Sequence, residues 1–269
     1  MSDFLQTMAA SSAERAAAAS ATLRAADFDK PLVPLCLDDF DIIAEIKDRS
    51  PAEGDLAAAG SNRSEQAARY AAGGAAAISV LTEPSRFAGE LDHLEEVVAA
   101  VPDTPVMRKD FLVEPVQILE ARRAGASGVL LIVTMLSDAT LSDMLACAWE
   151  HGMFVLLESF DADDLARTSR LLQQPVHADK AASAELLVGV NTRNLRTLKV
   201  DAERLEKLAP VLPQARCVAE SGLRAASDAG QVAAWGYRLA LVGTALMQSA
   251  DAAALVAAMR AAGRARIAA

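Results

Sequence analysis

GVLLIVTMLSDATLSDMLACAWEHGMFVLLESF, residues 128–160, reads as a strand, a helix and a second strand. The runs 129–133 and 154–157 are short and almost continuously apolar, as in parallel strands covered on both faces. Between them, 139–151 is rich in Ala, Leu and Met, which favour helix. Gly152 then stands where a left-handed residue commonly ends a helix before the next strand.

Outward from this unit the pattern repeats. Apolar runs at 42–46, 76–81, 105–107, 186–190, 215–219 and 238–242 bring the expected strands to eight. Helical stretches at 64–72, 91–100, 115–124, 162–172, 202–208, 224–234 and 251–262 alternate with them, and Gly73, Gly125 and Gly236 again stand at helix ends. Strand and helix in strict alternation imply a parallel sheet, and eight units over 269 residues favour a closed (β/α)8 TIM barrel. An open doubly wound sheet is the alternative, but no GxGxxG follows the first strand. The chain divides into an N-terminal helical extension, 1–41, and the barrel, 42–269. A helix is expected at 13–25, capping the barrel bottom rather than covering the mouth. The stretch 173–185 reads as an irregular surface insertion.

Composition narrows the function. No apolar run approaches the roughly 20 residues that cross a bilayer, and the first 25 residues are polar and Ala-rich, so a cytoplasmic protein is expected. Cys36, Cys147 and Cys217 show neither disulfide nor zinc-ligand spacing. A net charge of −10 argues against a nucleic-acid surface, so an anionic ligand needs a local site. The expected partner is a small anionic substrate, with no membrane or nucleic acid. A monomer is the expected state.

In a closed barrel the carboxyl ends of the strands converge on one pocket. Here they carry Glu45 and Lys47, Lys109 and Asp110, Glu158, Asn191 and Arg193, and Glu220 and Ser221. The 26 basic residues include only six lysines, and two of these end strands. A buried lysine can transfer a proton where arginine cannot, so Lys47 and Lys109 are candidates for acid–base work. The alternative is a salt bridge to Glu45 or Glu158. Ser221-Gly222 and Gly243-Thr244, with a short helix at 244–249 and with Ser50 and Arg193, suggest a phosphate site. His93, His151 and His177 fall off the strand ends and receive no catalytic or metal role. Trp149 and Trp235 are read as packing residues.

The segments AEIKDRSP (44–51), ISVLTEPSRFAG (78–89), RKDFLVEPVQILEAR (108–122), GVNTRNLRT (189–197) and VAESGL (218–223) resemble indole-3-glycerol-phosphate synthase, in that family's order. The resemblance implies ring closure of 1-(2-carboxyphenylamino)-1-deoxyribulose 5-phosphate, with loss of carbon dioxide and water, in tryptophan biosynthesis. No metal or organic cofactor is implied. It gives Lys109 the role of the acid at the ribulose carbonyl, and Lys47 contact with the substrate carboxylate and help in dehydration. Glu45 and Glu158 orient lysines or remove protons, the choice of base being left open. Asn191 and Glu220 hold sugar hydroxyls and the ammonium network, and Phe111 and Leu131 wall the aryl pocket. Ser50, Arg193, Ser221, Gly222, Gly243 and Thr244 fall at phosphate positions.

The first loop departs from the family, carrying Asp48, Glu53 and Asp55 where acidic groups would repel a dianionic substrate. Ser159-Phe160 and 173–185 also depart. Three other readings follow: a paralogue acting on a modified anthranilate adduct, a catalytically weak barrel serving as a binding partner, and an isomerase or synthase on another phosphosugar.

Overall fold

The computed structural model describes residues 3–20, 28–50, 54–56, 62–193, 201 and 203–268. Eight parallel strands close into a barrel: β1 (Asp41–Ile46), β2 (Ala77–Leu81), β3 (Val106–Lys109), β4 (Gly128–Ile132), β5 (Phe154–Ser159), β6 (Leu186–Asn191), β7 (Arg216–Glu220) and β8 (Leu239–Val242). Neighbours in sequence are neighbours in the sheet, and β8 pairs β1 through Asp41↔Leu239. Strand interiors are buried on both faces because helices cover the outside, so every expected run becomes a strand within two residues of its ends.

Besides the short helix Pro84–Phe87, the helices are α1 (Asp3–Ser20), α2 (Arg63–Ala72), α3 (Leu91–Ala100), α4 (Pro115–Ala124), α5 (Asp138–Glu150), α6 (Ala162–Leu171), α7 (Pro175–Ala182), α8 (Arg204–Leu208), α9 (Ala226–Ala234), α10 (Thr244–Met247) and α11 (Ala252–Ala268). Of the four glycines expected to be left-handed, Gly125, Gly152 and Gly236 have positive φ. Gly73 does not: its φ is −72°, and the left-handed turn falls on Gly74.

Two larger expectations are corrected. The stretch 173–185 is not irregular, because Pro175 opens α7, whose Ala181 and His177 are buried. The His177 ring contacts the Leu171 carbonyl at 3.0 Å and packs 5.5 Å from Trp149, so both residues hold this turn rather than bind a ligand. The N-terminal helix, expected at 13–25, begins at Asp3, residues 21–25 lie outside the described residues, and it does not cap the bottom. Its buried stripe of Leu5, Met8, Ser12, Ala16 and Ala19, at helical spacing, lies against α4 and the carboxyl end of β3. The Gln117 amide donates to Ser12 Oγ at 2.8 Å, and Arg15 grips Asp110 through two bonds of 2.7 and 2.8 Å. Residues 28–40 run past the strand amino ends instead, where the Val33 amide donates to Ser127 Oγ at 3.0 Å and Phe40 packs on Gly263. Among the described residues no helix is long and apolar enough to cross a membrane.

Candidate active site

A cavity of about 600 Å³ opens at the carboxyl ends of the strands. Glu45, Lys47, Ser50, Lys109, Phe111, Glu158, Asn191, Arg193, Glu220, Ser221, Gly222, Gly243 and Thr244 all line it, so the structure brings together every expected site residue except one. The exception is Leu131. Side chains alternate along a strand, and on β4 it is Leu130 and Ile132 that face the cavity while Leu131 is buried away from it.

Electrostatics are dense for so enclosed a space. Glu45 Oε1 lies 2.7 Å from Lys47 Nζ, and its Oε2 lies 3.5 Å from Lys109 Nζ. One carboxylate thus orders both lysines, the ion pairing that the sequence left as the alternative to acid–base work. Burial alone would raise the Glu45 carboxyl, but the two ammonium groups outweigh it and hold the group below its ordinary range. Burial likewise opposes the charge on Lys109, and Glu45, Glu158 and Glu220 overcome it and raise the lysine above its ordinary value.

Glu158 and Glu220 are different. Both are 1% exposed, and none of their four carboxylate oxygens has a hydrogen-bond partner among the described residues. Burial, and after it the charge on Glu158, pushes Glu220 well above the carboxylate range. Two buried carboxyl groups on neighbouring parts of one cavity disfavour a second negative charge, so Glu220 is pushed toward its neutral form.

Two glycines make room for these groups. A side chain at Gly189 on β6 would overlap Glu220 Oε1. One at Gly243 would overlap Glu45 Oε1 and come within 2.9 Å of Lys47 Nζ. Gly189 carries no role in the sequence reading, although a glycine inside a buried strand is a signal of close approach. Gly189→Ala should displace the Glu220 carboxyl and lower turnover by roughly tenfold to a hundredfold, since misplacement by about an ångström costs that much. Steady-state kinetics beside a thermal melt of the same variant would check it; unchanged kinetics would remove Glu220 from the site.

Phe4 and Phe87 also line the cavity and were not among the expected site residues. The Phe4 ring stands edge-on to Phe111 at 5.9 Å, and Phe87 lies 6.1 Å from Phe111. With Leu130 and Ile132 they form the apolar wall. Phe4 arrives on α1, the helix expected at the other end of the barrel.

Asp110 borders the cavity but is fully engaged. Besides Arg15 it accepts from Thr82 Oγ1 at 2.8 Å, Arg108 at 3.1 Å and the Phe111 amide at 2.8 Å. Burial opposes its charge, and Arg15 and Arg108 overcome this to bring its pKa from 3.8 down to about 2. A depressed folded-state pKa contributes stability above the unfolded value that is lost as pH falls through the folded one. Asp110→Asn should therefore cost at least about 2 kcal/mol at neutral pH, a gap that closes below about pH 4. Urea midpoints across that range would show it; a pH-independent gap would contradict it.

The acidic loop is also corrected. Asp48 turns away from the cavity and pairs with Arg63, and Asp55 lies 3.5 Å from Arg49, so neither stands unpaired before an anionic ligand. Glu53 lies outside the described residues. No cluster of His, Cys, Asp and Glu suited to a metal ion occurs among the described residues.

The family model described as indole-3-glycerol phosphate synthase matches residues 6–259. The indole-3-glycerol phosphate synthase of Nocardioides sp. (strain ATCC BAA-499 / JS614) is 46% identical over 246 residues, covering 89% of each chain. That of Paenarthrobacter aurescens (strain TC1) is 43% identical over 231 residues, 86% of this chain and 80% of its own. Among solved structures, 3-hexulose-6-phosphate synthase from Salmonella typhimurium matches with a TM-score of 0.63 at 16% identity, over 84% of this chain and 100% of its own, a likeness of fold alone.

Proposed function

This chain belongs to the indole-3-glycerol phosphate synthase family, and from that premise we propose that its cavity converts 1-(2-carboxyphenylamino)-1-deoxyribulose 5-phosphate to indole-3-glycerol phosphate, carbon dioxide and water. The observation that carries the assignment is the Lys47–Glu45–Lys109 ion triad facing two buried carboxyl groups at one end of the barrel.

The aryl ring lies against Phe4, Phe87, Phe111, Leu130 and Ile132. The phosphate lies toward Ser50, Arg193, Ser221-Gly222 and Gly243-Thr244, on the far side of the cavity mouth. The ring carbon bearing the carboxylate attacks the ribulose carbonyl, and a carbon–carbon bond forms as the carbonyl oxygen gains charge. The Lys109 ammonium is the acid that neutralises this oxygen. Lys47 holds the departing carboxylate; breaking that bond as carbon dioxide returns its electron pair to the ring. The Lys47 ammonium, freed of the carboxylate, then gives a proton to the hydroxyl left on the former carbonyl carbon, which departs as water. A proton from the neighbouring methylene goes to Glu158, which closes the indole double bond. Asn191 holds the sugar hydroxyls, and Glu220, keeping its proton, donates rather than accepts.

In this account α1 belongs to the working unit, since it supplies Phe4, even though 1–41 and 42–269 are separate stretches of sequence. The test is incubation of the purified protein with the anilino-deoxyribulose phosphate and mass analysis of the product. The expected product is lighter by one carbon dioxide and one water. Unchanged substrate at high protein concentration would overturn the assignment.

A further inference from the structure

The Asp48 side chain that departs from the family pattern has a structural use. Just past β1, Lys47 enters the cavity and Asp48 faces the outer helices, while Ser50, in the hairpin that follows, lines the cavity again. Asp48 bonds to Arg63, the first residue of α2, and its Oδ2 lies 3.9 Å from His93 Nδ1 on α3. Arg63 reaches on to Glu96 at 3.3 Å, and Glu96 also accepts from Ser64 Oγ at 3.1 Å. The Asp48 carbonyl meanwhile accepts from the Leu56 amide at 2.8 Å, closing the base of the small hairpin in which Arg49 pairs Asp55 and Ser50 pairs Gly54.

Asp48 therefore fixes both its neighbours inside the cavity and the hairpin beyond them. Its partner is shared: Arg63 holds two carboxylates that would otherwise repel each other. Without Arg63, Asp48 becomes an uncompensated negative charge one residue from Lys47, at the edge of a site that must hold an anion and keep Lys47 on Glu45. We propose that Arg63 and Asp48 are positioning residues for Lys47, a latch on the outside of the barrel that holds the β1 loop in its working geometry and keeps Asp48 from competing for the lysine. This rests on the activity proposed above.

The test compares the full chain with Arg63→Met, Arg63→Lys and the double variant Asp48→Asn/Arg63→Met. Turnover of the anilino-deoxyribulose phosphate is read beside the rate of tryptic cleavage after Arg49, which is exposed in the hairpin. Arg63→Met should lose roughly tenfold in kcat/KM, mainly in kcat, and be cut faster after Arg49. Arg63→Lys should keep most of the activity. The double variant should regain about threefold over Arg63→Met, because the harm comes from the unneutralised carboxylate rather than from lost packing. Wild-type turnover and cleavage in Arg63→Met, or a double variant worse than the single, would overturn the latch. If the wild type makes no product, the proposed activity fails, and the cleavage rates still decide the latch.

Discussion

Replacing Lys109 with alanine is expected to lower kcat by roughly a thousandfold, at the level seen when a positioned general acid is removed. The geometry leaves no substitute, since Lys47 is drawn 2.7 Å onto the other oxygen of Glu45. Loss of Lys109 also removes a charge that holds Glu220 down, so that carboxyl should be pushed still further up. Lys109→Arg distinguishes the two parts of the role. Arginine keeps the charge and cannot give up a proton, so it should bind substrate and still turn over poorly. Stopped-flow fluorescence of the indole product with each variant would measure both. Turnover of Lys109→Arg near wild type would reduce the lysine to an electrostatic prop.

The second large effect separates the two unpartnered glutamates. Glu158→Gln should lower kcat by roughly a hundredfold to ten-thousandfold, because it removes the base. Glu220→Gln should cost much less, about tenfold, since glutamine replaces a carboxyl group that burial and Glu158 already push toward its neutral form. Stability gives an independent reading. A carboxyl whose folded pKa is raised contributes stability that is present below the unfolded value and lost as pH rises toward the folded one. The wild type should therefore weaken as pH rises above about 4.5 through this group, whereas Glu220→Gln should not share that limb. Melting both proteins from acid to alkaline pH would show curves that diverge upward in pH. If Glu158→Gln shows the mild kinetic effect and Glu220→Gln the severe one, the proton assignment is reversed.

The barrel was legible because strands covered on both faces must be apolar throughout, and that signal does not depend on knowing what covers them. Strand-end lysines and glutamates were legible for a related reason: an ionisable group closing such a run needs a partner or a use. What the residues alone could not supply was direction. Whether Leu130 or Leu131 faces the cavity depends on strand phase, which the Ile132↔Glu158 pairing fixes only once the sheet is closed. Asp48 looked like a repulsive charge because its partner, Arg63, is brought to it by the fold. The position of α1 escaped the sequence because an Ala-rich helix offers no sharply apolar face. Its stripe begins at Leu5, and its anchor, Asp110, lies 95 residues from Arg15. Phe4 was missed with it. The short α7 was hidden by Pro175, which marks a helix start as readily as a turn.

The most direct measurement uses substrate labelled with carbon-13 in the aryl carboxylate, incubated with chelator-treated protein and followed by NMR. Labelled carbon dioxide should be released in equal amount to the indole-3-glycerol phosphate formed, and both should slow by roughly a thousandfold in Lys109→Ala. Indole without labelled carbon dioxide, or labelled carbon dioxide undiminished in Lys109→Ala, would contradict the proposed reaction.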